Sequence, residues 1–589
     1  MPPKKKLAKQ APKQGPKQSP KGPKGQGCKP RATKIPTSLL PLPSESQIPT
    51  AIVEKLEEFR NAQPFFSALE RIAPEAAALS RMHSCWFGKN IVGFQRDGED
   101  GFRADIQTDD GSYPVFIKRA HLLNPLDCIE GECIWPTEGS LPAPSELWGN
   151  ALQKLNDPMN EAYVDAVFAS VADRMVSTGM SPHWLRSFGT FPARVAKYMF
   201  NISDEYSSLR RKSFWTRHQK LGIFQLRKEV AQEGTRSGRV PLESVVFSEE
   251  QGMDDGDFEV AAAPAPPSTR LPEAEEADIP IDIETEPIQI NAPTVRIQRI
   301  ESPHSASSSS TEEEDYMDYF AEFADFPVQV TLLERAEGTM DELLDAENPL
   351  DAESEAKWTA WIFQVIAGLV SAQHWFGFVH NDLHTNNVMW SRTDEPYIHY
   401  KIEGKGKTVY YKVPTHGYIM KIIDFGRASY HLPEPAGFFI SDAFFPGNDA
   451  ANQYNCEPFF DSRAGKKVEP NPSFDLSRLA ISMLEALFPT RPANATPIKI
   501  MNREGPKTYA ETISPLYNLM WEWLTDDDGK NILRCPNGEE RYPDFDLYSA
   551  IAADIHKAVP WQQIEKSLFK GYQVESAPAG TPTYSLWTY

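Results

Sequence analysis

The chain has 589 residues, 40% of them apolar, 50 prolines and a formal net charge of −22. That length allows a folded body with additional segments. No apolar run reaches the roughly 18 residues needed to span a bilayer, so an intracellular protein with no membrane partner is expected. Six scattered cysteines without a CxxC pair argue against a disulfide framework or a zinc cluster, and for free thiols in a reducing compartment.

The charge is unevenly spread. Residues 1–34 carry 11 Lys/Arg and no acid, with Pro, Gln and Gly between the lysines. Nothing there can offset the entropy of ordering, so residues 1–48 read as a disordered basic tail. The tail lacks an apolar h-region and is not a secretory signal. Its cations suit nucleic acid or another polyanion through counterion release, but no aromatic residues interleave for base stacking. Pairing with the acidic segment of the same chain is an equal alternative.

Residues 49–83 read as a helical extension carrying Ile52, Leu56, Phe59, Phe65 and Phe66. Residues 84–237 begin strand-rich: 102–107 alternates, 108–112 is a turn, and 113–120 is a second strand ending near Lys118. A helix is predicted over 158–178 from the spacing of Tyr163, Val164, Val167, Phe168, Val171 and Met175. Residues 238–324 read as a disordered acidic insertion, with an Ala/Pro-rich run, a serine run and an acid block. Over 241–326 there are 22 Asp/Glu against three Arg. Serines beside these acids could accept phosphate from an acid-directed kinase, or the insertion could be a solvated spacer.

Order resumes in a strand at 326–333. Residues 325–336 end in Glu334, Arg335 and Ala336, a connection to the next unit. Residues 337–575 read as mainly helical, with helices from Met340, over 357–375 and over 474–487. A long hairpin at 396–413 interrupts them. Residues 576–589 read as a C-terminal tail. Strands first and helices later fit an α+β protein with a cleft between two parts.

The chemistry concentrates in His380-Asn381-Asp382-Leu383-His384-Thr385-Asn386-Asn387 and in Ile423-Asp424-Phe425-Gly426. Phosphoryl transfer needs one carboxylate to orient a hydroxyl, and an amide oxygen plus a second carboxylate to hold magnesium on ATP. This chain supplies those groups in that order.

These motifs resemble those of eukaryotic-type protein kinases. The stretches 115–125, 380–390, 421–428, 453–458, 472–479 and 540–548 resemble, more narrowly, the divergent serine/threonine kinases of nucleocytoplasmic large DNA viruses. The resemblance covers roughly 84–572, apart from the acidic insertion. It implies a two-lobed kinase-like fold with the insertion in the N-terminal lobe. It also implies ATP and Mg2+ as cofactors, protein Ser/Thr hydroxyls as acceptors, and a location in the host cytoplasm, nucleus or virion. By the same resemblance Asp382 is the catalytic aspartate, with His384 beside it. Asn387 and Asp424 are the metal ligands. Lys118 binds the α- and β-phosphates, and Glu334 and Ala336 lie on the adenine-binding hinge. The acidic partner of Lys118 is expected on the following helix: Asp165 first, then Glu161, then Asp173. Asp475 looks like a brace for the catalytic loop, with an ordinary helix cap as the competing role.

Four departures stand beside this. No G-x-G-x-x-G precedes Lys118; Gly88, Gly93, Gly98 and Gly101 are loosely spread. Asn381 stands where such kinases carry an arginine, which predicts activity without activating phosphorylation. His384 stands where they carry lysine, a form also seen in small-molecule phosphotransferases. No Ala-Pro-Glu follows, and Glu457-Pro458 takes its position. A small-molecule phosphotransferase and a non-catalytic scaffold are therefore the alternatives.

Overall fold

The computed structural model describes residues 28–32, 34–40, 47–56, 58–75, 86–97, 102–133, 135, 151–230, 317–346, 351–404, 406–495, 498–502, 505–509, 512–535, 539–543 and 545–589. Most of the basic tail and of the acidic insertion lies outside them, as do Gly98, Gly101 and Asp544.

The protein is α+β, and its first part is a curled antiparallel sheet of eight strands. These are Phe59–Arg60 (β1), Phe87–Gly88 (β2), Ile91–Arg96 (β3), Arg103–Thr108 (β4), Gly111–His121 (β5), Ser187–Asn201 (β6), Gln225–Val230 (β7) and Met317–Glu334 (β8). The order is β1-β6-β8-β5-β4-β3, with β2 also on β6 and β7 also on β8. Period-two burial explains the register. Val115 and Ile117 of β5, and Val328, Val330 and Leu332 of β8, are fully buried. Lys118 pairs with Thr331 across that ladder, on the face opposite Ile117. The helix Glu161–Ser177 packs on β6 and β8. Asn160 caps it by accepting from the Ala162 N–H at 3.0 Å.

The second part is built on the helix Ala352–Phe376. Asp351 starts it by accepting from the Glu353 and Ser354 N–H groups, and Gly377 stops it with φ +57. Trp358, Trp361, Ile362, Val365 and Leu369 of this helix are buried. Beside it lie two further sheets. One joins Gly338–Thr339 (β9), Val388–Arg392 (β10) and Tyr418–Ile422 (β13). The other joins Tyr397–Gly404 (β11), Lys407–Pro414 (β12), Gln573–Val574 (β18) and Thr583–Trp587 (β19); between β13 and β18, Ser429–His431 (β14) pairs with Phe438–Ile440 (β15), and Ile498–Asn502 (β16) with Gly505–Tyr509 (β17). The helices Phe474–Leu487, Pro515–Trp523 and Asp546–Asp554 complete it. Among the described residues no helix is long and apolar enough to cross a membrane.

Four boundaries differ from those read in the sequence. Residues 28–32 do not belong to a loose tail: Cys28 N donates to Pro470 O at 2.9 Å, and Arg31 N to His374 O at 3.0 Å. Among its described residues the extension 49–83 is helical at Thr50–Val53 and Leu69–Ile72 and contributes β1 to the sheet. The insertion ends before Met317, because Tyr319, Ala321 and Phe323 alternate into the core as part of β8. The C-terminal stretch 576–589 contains β19, which pairs in parallel with β11 and buries Leu586.

Candidate active site

The catalytic-type loop lies between the helix Ala352–Phe376 and β10, and its backbone is held from three sides. Asp475 is fully buried and accepts from the His380 and Asn381 N–H groups, both at 3.0 Å. It therefore braces this loop; Ser473, not Asp475, is the residue that begins its own helix. Burial pushes the Asp475 carboxyl up to about 6, against His380 and the two N–H donors. His380 Nε2 bonds the Ile423 carbonyl at 2.7 Å. Asn381 adopts φ +65, a left-handed conformation that Asn tolerates better than most residues. Its Nδ2 donates to Arg427 O at 2.9 Å, and its Oδ1 accepts from Tyr454 OH at 2.6 Å.

The same chain of bonds brings the charged groups together. Lys118 Nζ lies 2.8 Å from Asp165 Oδ1 and 2.9 Å from Asp424 Oδ1. Asp165 Oδ1 also accepts from the Phe425 N–H at 2.7 Å, so one carboxylate on the helix fixes both the lysine and the Asp-Phe-Gly turn. Burial would lower the Lys118 ammonium, but the two carboxylates outweigh it and raise it. Lys118 holds Asp424 well below the usual carboxylate range. Burial lifts Asp165 above that range, against the opposing pull of Lys118. Phe425 sits among aromatic rings, 4.9 Å from Phe168, 5.8 Å from Trp184 and 6.0 Å from His380. Those contacts tie the turn to the helix.

A cavity of about 240 Å³ opens at this point, lined by Lys118, Ala120, His121, Glu161, Asp165, Asp382, Asp424 and Arg427, with Ala162 and Gly426. Of the three carboxylates weighed as partners of Lys118, Asp165 is the one in contact. Glu161 binds His121 at 3.0 Å, and Asp173 binds Lys89 at 3.0 Å and Arg186 at 2.9 Å. Asn387 does not line the cavity, but Ile423 N donates to its carbonyl at 3.0 Å, which sets it beside the segment that carries Asp424. Its Nδ2 donates to the Asp382 carbonyl at 2.9 Å.

Glu334 and Ala336 are not brought to this cavity. The Glu334 N–H donates to Arg186 O at 2.8 Å, and its Oε2 accepts from Arg186 N at 3.0 Å. The Glu334 N–H is therefore taken up within the sheet. His384 lies outside the cavity lining, and burial lowers its imidazole to about 4, with Asp382 opposing and Arg478 assisting. Among the described residues no group of three or more His, Cys, Asp or Glu side chains could hold a metal ion; Asp424 and Asn387 offer one carboxylate and one amide.

Sequence reasoning gave Arg427, Tyr454 and Arg478 no role, although all three lie in stretches that carry the resemblance. Arg478 donates to Tyr548 OH at 2.8 Å, and its charge reaches His384. The signal for Arg427 was its place directly after Asp-Phe-Gly. Compared with known proteins, the chain matches no family model and no curated protein.

Proposed function

We propose that the protein is a two-lobed serine/threonine protein kinase, one lobe built on the eight-stranded sheet and the other on the helices that follow β8. The reading rests on one observation: Lys118 is held between Asp165 and Asp424 at a cavity that Asp382 also lines. A cation fixed by a helix carboxylate, beside a second carboxylate on a strained turn, is what a nucleotide triphosphate cleft requires.

In this reading Asp382 accepts the proton of the acceptor hydroxyl and aims its oxygen. Lys118 holds the α- and β-phosphates, and Asp165 holds Lys118. Asp424, whose side chain is half exposed, and the Oδ1 of Asn387 are the oxygen ligands suited to magnesium, which takes its remaining ligands from water and phosphate. Bound there, magnesium neutralises charge on the phosphate oxygens. His384 stays neutral beside Asp382. Adenine recognition falls to the backbone around Ala336. The resemblance to kinases of large DNA viruses makes a host-cell or virion location part of the proposal, and the basic tail a polyanion contact.

The test is transfer of labelled γ-phosphate by the full chain to a generic basic protein and to a panel of metabolites. Label on protein Ser/Thr is expected, and Asp382→Asn should lower it by about 10²–10⁴-fold. Label on a metabolite alone favours a small-molecule phosphotransferase. No label from the wild type favours a scaffold.

A further inference from the structure

Among the described residues that line the cavity, the cations are already committed, with one exception. Lys118 bonds two carboxylates. His121 bonds Glu161. The guanidinium of Arg427 lines the same cavity and makes no hydrogen bond or ion pair among the described residues. It is of intermediate exposure, so without a ligand its donors are left to water, which a ligand with acceptor oxygens would replace. Burial would lower its basicity, and the nearby carboxylates of Asp382, Glu161 and Asp449 outweigh that.

The backbone that carries this side chain is fixed. The Arg427 carbonyl accepts from Asn381, which is held in turn by Tyr454 and Asp475. A rigid mount thus presents an uncommitted planar donor to the space between Asp382 and Lys118. An arginine with no protein acceptor at the mouth of such a cleft has its full set of donors to give to a ligand. Planar guanidinium matches the oxygens of a phosphate by paired bonds.

We infer that Arg427 binds the terminal phosphoryl group of the nucleotide and stabilises it during transfer. The inference rests on the kinase reading. In the step itself, the bond from the γ-phosphorus to the bridging oxygen breaks and a bond to the acceptor oxygen forms. The acceptor proton passes to the Asp382 carboxylate, and the diphosphate leaves. Arg427 donates to the non-bridging oxygens throughout, a contribution that grows as charge spreads over them.

The experiment compares the full-length wild type, Arg427→Ala, Arg427→Lys and Asp382→Asn. It measures calorimetric affinity for ATP and ADP with magnesium, transfer rate and melting temperature. Arg427→Ala should bind ADP within about twofold of wild type, lose the preference for ATP over ADP, and transfer about 10²–10³-fold more slowly. Arg427→Lys should recover part of the rate and little of the paired-bond affinity. If Asp382→Asn abolishes transfer while Arg427→Ala keeps both rate and nucleotide preference, Arg427 has no such role and the kinase reading stands. If Arg427→Ala weakens both nucleotides equally and lowers the melting temperature, the residue is structural and the inference falls. A wild type that neither binds nucleotide nor transfers phosphate overturns the kinase reading and this inference together.

Discussion

Two clusters of one lysine and two carboxylates flank the same helix, and they differ in what they leave open. Lys118, Asp165 and Asp424 form the first; Lys154, Glu161 and Asp442 form the second. In the second, every member is mostly buried. Asp442 closes it from both sides, binding Lys154 and accepting from the Glu161 N–H at 2.9 Å. In the first, the Asp424 side chain is half exposed toward the cavity. Although Glu161 also lines the cavity, its carboxylate is already bonded by His121 and faces Lys154, so the second cluster chiefly holds structure together. An open one also has charge to offer a ligand.

The largest expected effect separates the two. Asp424→Ala should abolish phosphate transfer, by about 10³-fold or more, and change the melting temperature little, because an exposed carboxylate contributes modestly to stability. Asp442→Ala should do the reverse. It leaves Lys154 with Glu161 alone in a buried site and costs about 3 kcal/mol, while transfer measured well below the melting temperature persists. Paired denaturation and transfer assays check both. A stable, inactive Asp442 variant would erase the distinction between the clusters.

The next effect is pH-dependent and belongs to the closed cluster. Burial would raise the Glu161 carboxyl, but the Lys154 ammonium and the His121 bond outweigh it and bring it down to about 2. Arg427 adds to that pull, and Asp442 and the Tyr198 hydroxyl stand nearby. The ordinary value is 4.5. A carboxyl depressed on folding stabilises the protein above its unfolded value, and that contribution fades as pH falls from 4.5 toward 2. It amounts to on the order of 2–3 kcal/mol. Glu161→Gln should therefore flatten the acid limb of stability in this window, as urea midpoints at pH 2.5, 3.5 and 4.5 would show. Equal slopes for variant and wild type would remove Glu161 from the account.

How these clusters divide the helix could not be read in advance. Glu161 and Asp165 are four residues apart and share one face, while Asp173, eight further on, lies about 80° around the helix from Asp165. Each four-residue step moves a side chain about 6 Å along the axis, and only the seating of the helix on the sheet selects which one meets Lys118. By contrast, Lys118, Asp382 and Asp424 were picked out by the short motifs in which each sits, and the fold brings these three from separate stretches to one cavity. The start of β8 was legible in principle. Tyr319, Ala321 and Phe323 alternate, but the acid block at 312–315 masked the period. The ordered stretch at 28–32 was not. Arg31 lies 4.3 Å from the Tyr589 ring and 5.5 Å from Trp561, partners more than 500 residues away that no local pattern announces.

The smallest expected effect is none at all, and it tests the open cluster from its other side. Asn381 is buried and neutral, and its amide is used up by Arg427 O and Tyr454 OH. It offers no cation to a phosphate on the segment that follows Asp-Phe-Gly, so turnover should be the same before and after phosphatase treatment. Mass spectrometry of both samples, alongside the transfer assay, makes the comparison. A large loss would mean that a phosphate on the chain itself completes the site. Arg427 is the uncommitted cation nearest to hand, so its partner would then be that phosphate rather than the nucleotide's. In that event Arg427→Ala should mimic phosphatase treatment in rate while leaving the preference for ATP over ADP intact, the opposite of the pattern expected from a cation that grips the transferring group.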